Sequence, residues 1–341
     1  MPANTLIPKY PWALSPLIIA APMRLITGPH LALSVARAGG IGFVGPGQTL
    51  ADLKTATSLH FESPLPSYTS PKLPLGVAFQ MHADSLPDAA TAISTHPPIA
   101  AWLFAPRNGQ SETDTWISTL RKTSPGIQIW LQIGTLTEAL SAAKSGHPPD
   151  VLVIQGAEAG GHGRAHDGVG FITLLPEVDD ALGGKIPLVA AGGIIDGRGV
   201  VAALGVGAKG AAMGTRFLAS EEARVKEGYQ QDVVRTQDGA KNTVRTGLYN
   251  RLRGSEFPSE WEPRGVANKS WEEWKSGVNF EELKRKHDEA VKEGKGWGED
   301  GRTATYAGAG IGLVRRVEAA GRIVEETRAE AKNIMKRLRE M

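Results

Sequence analysis

The chain has no cysteine. Disulfides, thiolate metal sites and cysteine nucleophiles are excluded at once, and the absence suits a reducing compartment. It also has no excess of either charge. With 38 Lys and Arg against 36 Asp and Glu, the formal net charge is +2, which gives no electrostatic reason to expect nucleic acid or an anionic membrane as partner. Long apolar runs are missing too: none approaches the ~20 residues of a membrane span. The segment "LSPLIIAAPM" comes nearest to a signal-peptide core, but Lys9 is the lone basic residue before it and Pro16 and Pro22 break it. It reads as a buried first strand. The terminal "KRLREM" matches no targeting motif. The expectation is a cytoplasmic protein without nucleic-acid or membrane partners.

Glycine is what the chain has in excess. Its 41 glycines are about 12% of the residues, against roughly 7% in an average protein. No collagen-like period or flexible linker accounts for them. They sit at the ends of apolar runs, where tight turns and close backbone approach are needed. Charge is also unevenly spread: residues 1–219 hold 14 basic and 14 acidic residues, leaving 24 and 22 for the remaining 122.

In the first part, eight apolar runs alternate with amphipathic stretches such as "HLALSVARAGG": "LIIAAPM", "IGFVGPG", "PLGVAFQ", "IAAWLF", "IQIWLQI", "VLVIQG", "IPLVAAGG" and "GAAMGT". Runs apolar throughout suit strands buried on both faces of a parallel sheet. Eight strand–helix units in about 220 residues is the repeat count of a TIM barrel. An open doubly wound sheet is the second choice, since no reversal of order is visible. The expected organisation is a barrel over 1–219, a mostly helical lid over 220–305, and a C-terminal amphipathic helix in 306–341. That helix would dock through a stripe of Val314, Val317, Val324, Ile334 and Leu338. The lid holds four of the eight tryptophans, read as lid core.

Function in this fold sits at the C-terminal ends of the strands. Those ends carry Ala21-Pro22-Met23, Gly45-Pro46-Gly47, Gln80, Gln132, Gln155, Gly192-Gly193 and Gly214-Thr215. No Asp, Glu and His cluster there suits a metal, and Glu158 alone cannot make the carboxylate pair of a glycosidase. The glycine turns after the seventh and eighth strands fall where this fold places phosphate sites, with backbone N–H groups and the Thr215 hydroxyl as donors. "GVGAKG" (205–210) matches a dinucleotide fingerprint but follows a helix and leads into a strand, so it is a turn. After the sixth strand, "QGAEAGGHGR" surrounds His162 with four glycines. This histidine can be a base, an acid or a hydrogen-bond donor to an anion, or a packing residue. His166 reads as exposed loop, and His60, His96, His147 and His287 as surface or helix-end residues.

"APM" with "ARAGGIGFVGPG", then "DVLVIQGAEAGGHG", "PLVAAGGIIDGRG" and "MGTRFLASEE" together resemble the nitronate monooxygenases (formerly 2-nitropropane dioxygenases), especially fungal members. The resemblance spans 15–222, with an echo in "YAGAGIGLV" near 306–314. It implies FMN in a TIM barrel and oxidation of alkyl nitronates, and of nitroalkanes, by O₂ to carbonyl compounds and nitrite. The FMN phosphate would lie on Gly192-Gly193 and Gly214-Thr215. Its ring would lie against Ala21, Pro22 and Met23, with Gln132 and Gln155 on its polar edge, and Gly160 and Gly161 would let it approach the His162 loop. His162 would be the catalytic group, binding the nitronate oxygens or removing a proton. The chain departs from bacterial members in having Ala78 and Gln132 where those often show Asn and Lys. The alternatives are an NAD(P)H-dependent reductase of quinones or enoyl substrates, a non-catalytic flavin-binding protein, and a barrel that is scaffold alone.

Overall fold

The computed structural model describes residues 6–66 and 68–341. The eight apolar runs become strands β1 (Ile18–Ala20), β2 (Ile41–Val44), β3 (Leu73–Gln80), β4 (Pro98–Phe104), β5 (Gln128–Ile133), β6 (Val151–Gln155), β8 (Leu188–Ala191) and β9 (Gly210–Met213), while β7 (Gly161–Arg164) lies apart from them. The eight parallel strands close into a barrel in chain order, and β9 pairs back onto β1 with Ile19 opposite Ala212. Closure removes every strand edge. It also explains the lack of polar alternation. Ile18 and Ala20 face the helices while Ile19 packs inside, and all three are fully buried.

Helices α1 (Pro29–Arg37), α2 (Thr49–Glu62), α3 (Leu86–Thr95), α4 (Gly109–Thr123), α5 (Leu136–Lys144), α6 (Phe171–Leu182) and α7 (Gly197–Gly205) ring the barrel. Local sequence sets their starts. At α5, Thr135 Oγ1 accepts from the Glu138 N–H (3.2 Å) while the Glu138 carboxylate accepts from the Thr135 N–H (3.0 Å), a reciprocal capping box. The barrel interior is aromatic. Trp102 and Trp130 stack with centroids 5.9 Å apart, Phe43 packs edge-on against both, and Trp130 Nε1 donates to the Tyr10 hydroxyl at 2.7 Å. Trp102 also forms part of the wall of the cavity above.

After β9 comes only one helical turn, α8 (Thr215–Leu218). The chain then runs through α9 (Glu227–Arg235), α10 (Gly239–Asn242), β10 (Thr243–Arg245), α11 (Leu248–Arg253), β11 (Trp261–Val266), α12 (Lys269–Lys275) and α13 (Phe280–Lys292) before α14 (Ala320–Arg339). The middle region is mostly helical but carries two strands that its sequence hid: β10 is three residues long and β11 contains Pro263. They pair antiparallel with β7 in the order β10-β11-β7. His162 is therefore on a strand rather than in a free loop.

The C-terminal helix begins at Ala320, later than the stripe from Val314 implied. Val314 and Val324 are buried, but Val317 and Leu338 are exposed. The docking face is instead Ala320, Ile323, Val324, Thr327, Arg328 and Ala331, against α7 and α1. That is the place of the ring's eighth helix. Buried Arg328 secures it, donating to the carbonyls of Ala38 and Gly39 (both 2.8 Å) and Pro16 (3.3 Å), just past the C-terminus of α1 where a cation is favoured. Arg328→Ala strands these acceptors and is expected to cost on the order of 3 kcal/mol. Urea unfolding checks this; an unchanged midpoint would mean that the helix docks through its apolar face alone.

Candidate active site

A cavity of about 480 Å³ opens at the C-terminal end of the barrel. Small side chains make the room: Ala78, Ala191 and Ala212 stand at or near strand ends where larger residues would fill the mouth. The twelve residues assigned to cofactor or substrate line this one cavity: Ala21, Pro22, Met23, Gln132, Gln155, Gly160, Gly161, His162, Gly192, Gly193, Gly214 and Thr215; of the Gly45-Pro46-Gly47 turn, Pro46 does. Gln80 and Ala78 join them. His166 is exposed, as expected, but His287 is buried on α13.

The glycines are there for different reasons. Gly193 has φ +71° and its missing Cβ would lie 3.2 Å from Glu158 Cβ, so the turn itself demands glycine. Gly160 answers to packing, because a Cβ would strike the backbone of Ala307 and Gly308 at 2.4 Å. Packing alone thus requires glycine at a position that also lines the cavity. Gly214 has an ordinary backbone, and its Cβ would meet nothing nearer than Ala21 Cβ at 3.9 Å and Met23 Sδ at 4.0 Å. The protein alone gives no reason for glycine there. Thr215 Oγ1 accepts from the Gly308 N–H at 2.9 Å and keeps its own hydroxyl proton to donate. The start of α7, by contrast, is not free to hold an anion. Asp196 accepts from the N–H groups of Arg198 and Gly199, and Glu330 accepts from that of Gly197 at 2.8 Å.

The two glutamines are half used. Gln132 Oε1 accepts from Trp102 Nε1 (3.0 Å), which leaves its amide N–H₂ unspent. Gln155 Nε2 donates to the His162 carbonyl (2.9 Å), while its Oε1 is buried without a hydrogen-bond partner. A buried amide oxygen without a partner is costly. It marks a place where a ligand donor belongs.

His162 pairs through its backbone with Pro263 of β11. Its ring stacks on Phe257, centroids 3.5 Å apart and 7° from parallel, with Tyr306 at its edge. Phe257 in turn rests 4.0 Å from the His82 ring. His162 Nε2 meets Asn250 Oδ1 at 3.0 Å. Burial pushes the pKa of His162 down to about 3; His82, Arg245 and Arg253 push the same way, and the Asn250 hydrogen bond opposes them. The imidazole is neutral at physiological pH.

Besides His162, the titratable side chains lining the cavity among the described residues are Arg24, Arg224, Arg253, Tyr229 and Tyr306, with no carboxylate. Arg253 donates to the Tyr306 hydroxyl at 2.9 Å and Arg224 pairs with Asp52. Arg24 also pairs with Asp84, so the charge on this rim that favours anions is chiefly that of Arg253. Beneath the glycine loop, Arg245 donates to the carbonyls of Gly161, Glu262, Ala157 and Ala159, tying the loop to β10. Among the described residues no His, Cys, Asp and Glu group could hold a metal, and no helix is long and apolar enough to cross a membrane.

Sequence reasoning missed Asn250, Phe257, Arg253 and Trp297, all from the charged middle region. Trp297, read as lid core, lines the cavity. No local motif distinguishes these residues. Tyr306, Gly308 and Gly310 were legible within "YAGAGIGLV", and all three line the cavity.

Comparison with known proteins bears on this arrangement. The family model described as nitronate monooxygenase matches residues 117–330. A nitronate monooxygenase of Metarhizium robertsii, npaC, is 55% identical over 97% of this chain and 95% of its own. One from Neurospora crassa is 35% identical over 96% and 92%. Among solved structures, FabK from Thermotoga maritima superimposes with a TM-score of 0.75 at 25% identity, covering 100% of this chain and 99% of that one. A nitroalkane oxidase from Streptomyces ansochromogenes shares the fold, with a TM-score of 0.72 at 24% identity over 95% and 98%.

Proposed function

The chain belongs to the nitronate monooxygenase family, and from that premise we propose that the cavity holds FMN and that His162 is the residue acting on substrate beside it. The enzyme is an oxidoreductase that oxidises alkyl nitronates with O₂ to a carbonyl compound and nitrite. The observation that carries the cofactor reading is the pairing of Gln155 Oε1, buried and unpartnered, with the unspent Gln132 amide. An acceptor on Gln155 and a donor on Gln132 match in kind the alternating N–H and C=O edge of a flavin. The open space at Gly214 suits its terminal phosphate, beside the Thr215 hydroxyl and the leading N–H groups of α8. Bound flavin supplies the electron acceptor for the substrate and the site at which O₂ is reduced.

What the chain's own residues do follows from charge. The arginine rim attracts the nitronate anion and the cofactor phosphate. With a neutral nitroalkane, His162 takes the α-proton. A pKa near 3 makes it a weak base toward bulk water, but the nitronate formed beside it is the counter-ion of the new imidazolium, in a site where burial strengthens that attraction. Phe257 and Tyr306 keep water from the ring.

Purified protein should be yellow, and heating should release a flavin that chromatographs as FMN; FAD would overturn the cofactor assignment. The alternative, an NAD(P)H-dependent reductase, makes a different prediction. Anaerobic addition of a nitronate should bleach the flavin, whereas NADH or NADPH should leave it yellow. Bleaching by NADH alone would reverse the proposal.

A further inference from the structure

Resting on that reading, we infer that Asn250 is the positioning residue of the site: it holds the neutral His162 ring with the proton on Nε2 and turns Nδ1 into the base. A carbonyl oxygen accepts and cannot donate, so the 3.0 Å contact between Asn250 Oδ1 and His162 Nε2 requires the proton on Nε2. The lone pair then sits on Nδ1, which has no hydrogen-bond partner among the described residues while its residue lines the cavity. A neutral imidazole has one N–H, and with Asn250 holding it His162 does not also donate to an incoming nitronate. Only after taking a proton on Nδ1 does the ring become a donor toward the anion it has made.

The middle region is built to hold Asn250 still. Its neighbours on α11, Leu248, Tyr249 and Leu252, are buried, and Tyr249 donates its hydroxyl proton to the Val266 carbonyl at 2.6 Å. The Ser255 N–H donates to the Asn250 carbonyl at 2.9 Å. Phe257 fixes the ring plane, so Asn250 has only to choose between the two nitrogens. The other charged or titratable groups facing the ring are His82, Arg245, Arg253 and Tyr306. None is a carboxylate, so a neutral amide is the one acceptor that leaves the imidazole uncharged.

Four variants test this: Asn250→Leu, Asn250→Asp, and each again with His162→Asn. Flavin content and thermal midpoint establish that each is folded and loaded. Asn250→Leu, close in shape but without the acceptor, should lower kcat/KM for neutral nitroalkanes roughly 10- to 100-fold, the size of orienting effects one shell out, with a smaller change for preformed nitronates. Asn250→Asp keeps the acceptor and adds a negative charge that raises the His162 pKa. It should keep nitroalkane activity at high pH and lose it as pH falls, with an acid limb well above that of the wild type. In the His162→Asn background neither substitution should matter further. An Asn250→Leu enzyme with wild-type rates and profile would overturn the inference. So would an Asn250→Asp enzyme inactive at all pH, because that means the amide N–H₂ faces the ring instead. If wild-type enzyme itself turns over no nitronate, the functional reading fails before the Asn250 inference is reached.

Discussion

His162→Asn should lower kcat/KM for neutral nitroalkanes by about 10²- to 10⁴-fold, the usual worth of a general base, while most activity on preformed nitronates survives. The asymmetry follows from the resting state of the ring. Burial keeps it neutral, and Asn250 holds its one N–H. The wild-type residue can therefore accept a proton but offers a preformed anion little that the arginine rim does not. Asparagine cannot take a proton at neutral pH, so only the route that needs deprotonation is lost. Steady-state rates with a nitroalkane and its equilibrated nitronate, at matched flavin content, measure both. Equal losses with the two substrates, chiefly in KM, would make the histidine an anchor. Unchanged rates with both would return it to a packing role.

Gly214→Val should release the flavin while leaving the protein folded. Gly214 has φ −105°, and an added Cβ has free space on the protein side. The branched side chain would fill the open space beside Ala21 and Met23 proposed for the phosphate, so flavin content of the purified protein should fall by more than half. Far-UV circular dichroism and the thermal midpoint of the flavin-free protein should stay near wild type. Full retention of flavin would remove the phosphate from this turn. Gly193 does not offer the same test. Its left-handed backbone and the nearby Glu158 Cβ make any substitution there a fold mutation first.

By itself the sequence determined the barrel. Eight apolar runs, seven of them carrying Val, Ile or Leu and each closed by glycine or a polar turn, admit little besides parallel strands buried on both faces. The residues at their C-terminal ends were legible for the same reason: in this topology every such end faces one mouth. Gln132, Gln155, Gly214 and Thr215 needed only to be counted off the strands. What the tertiary structure alone decided lies in the charged remainder, where helix-forming sequence conceals what each helix faces. Asn250 is 88 positions from His162, and no spacing rule joins them. Their meeting depends on β7 pairing with β11 and β11 with β10, short strands whose composition is ordinary for loops. The reason His162 rests neutral is likewise invisible in its neighbours along the chain. It comes from burial under Phe257 and Tyr306, which only folding brings over the ring. The eighth helix of the ring shows the same division: its amphipathic character could be read from residues 320–339, but not that it returns past the whole middle region to fill the gap between α7 and α1. Local pattern fixes which face of an element is apolar, and the space left by every other element decides what that face covers.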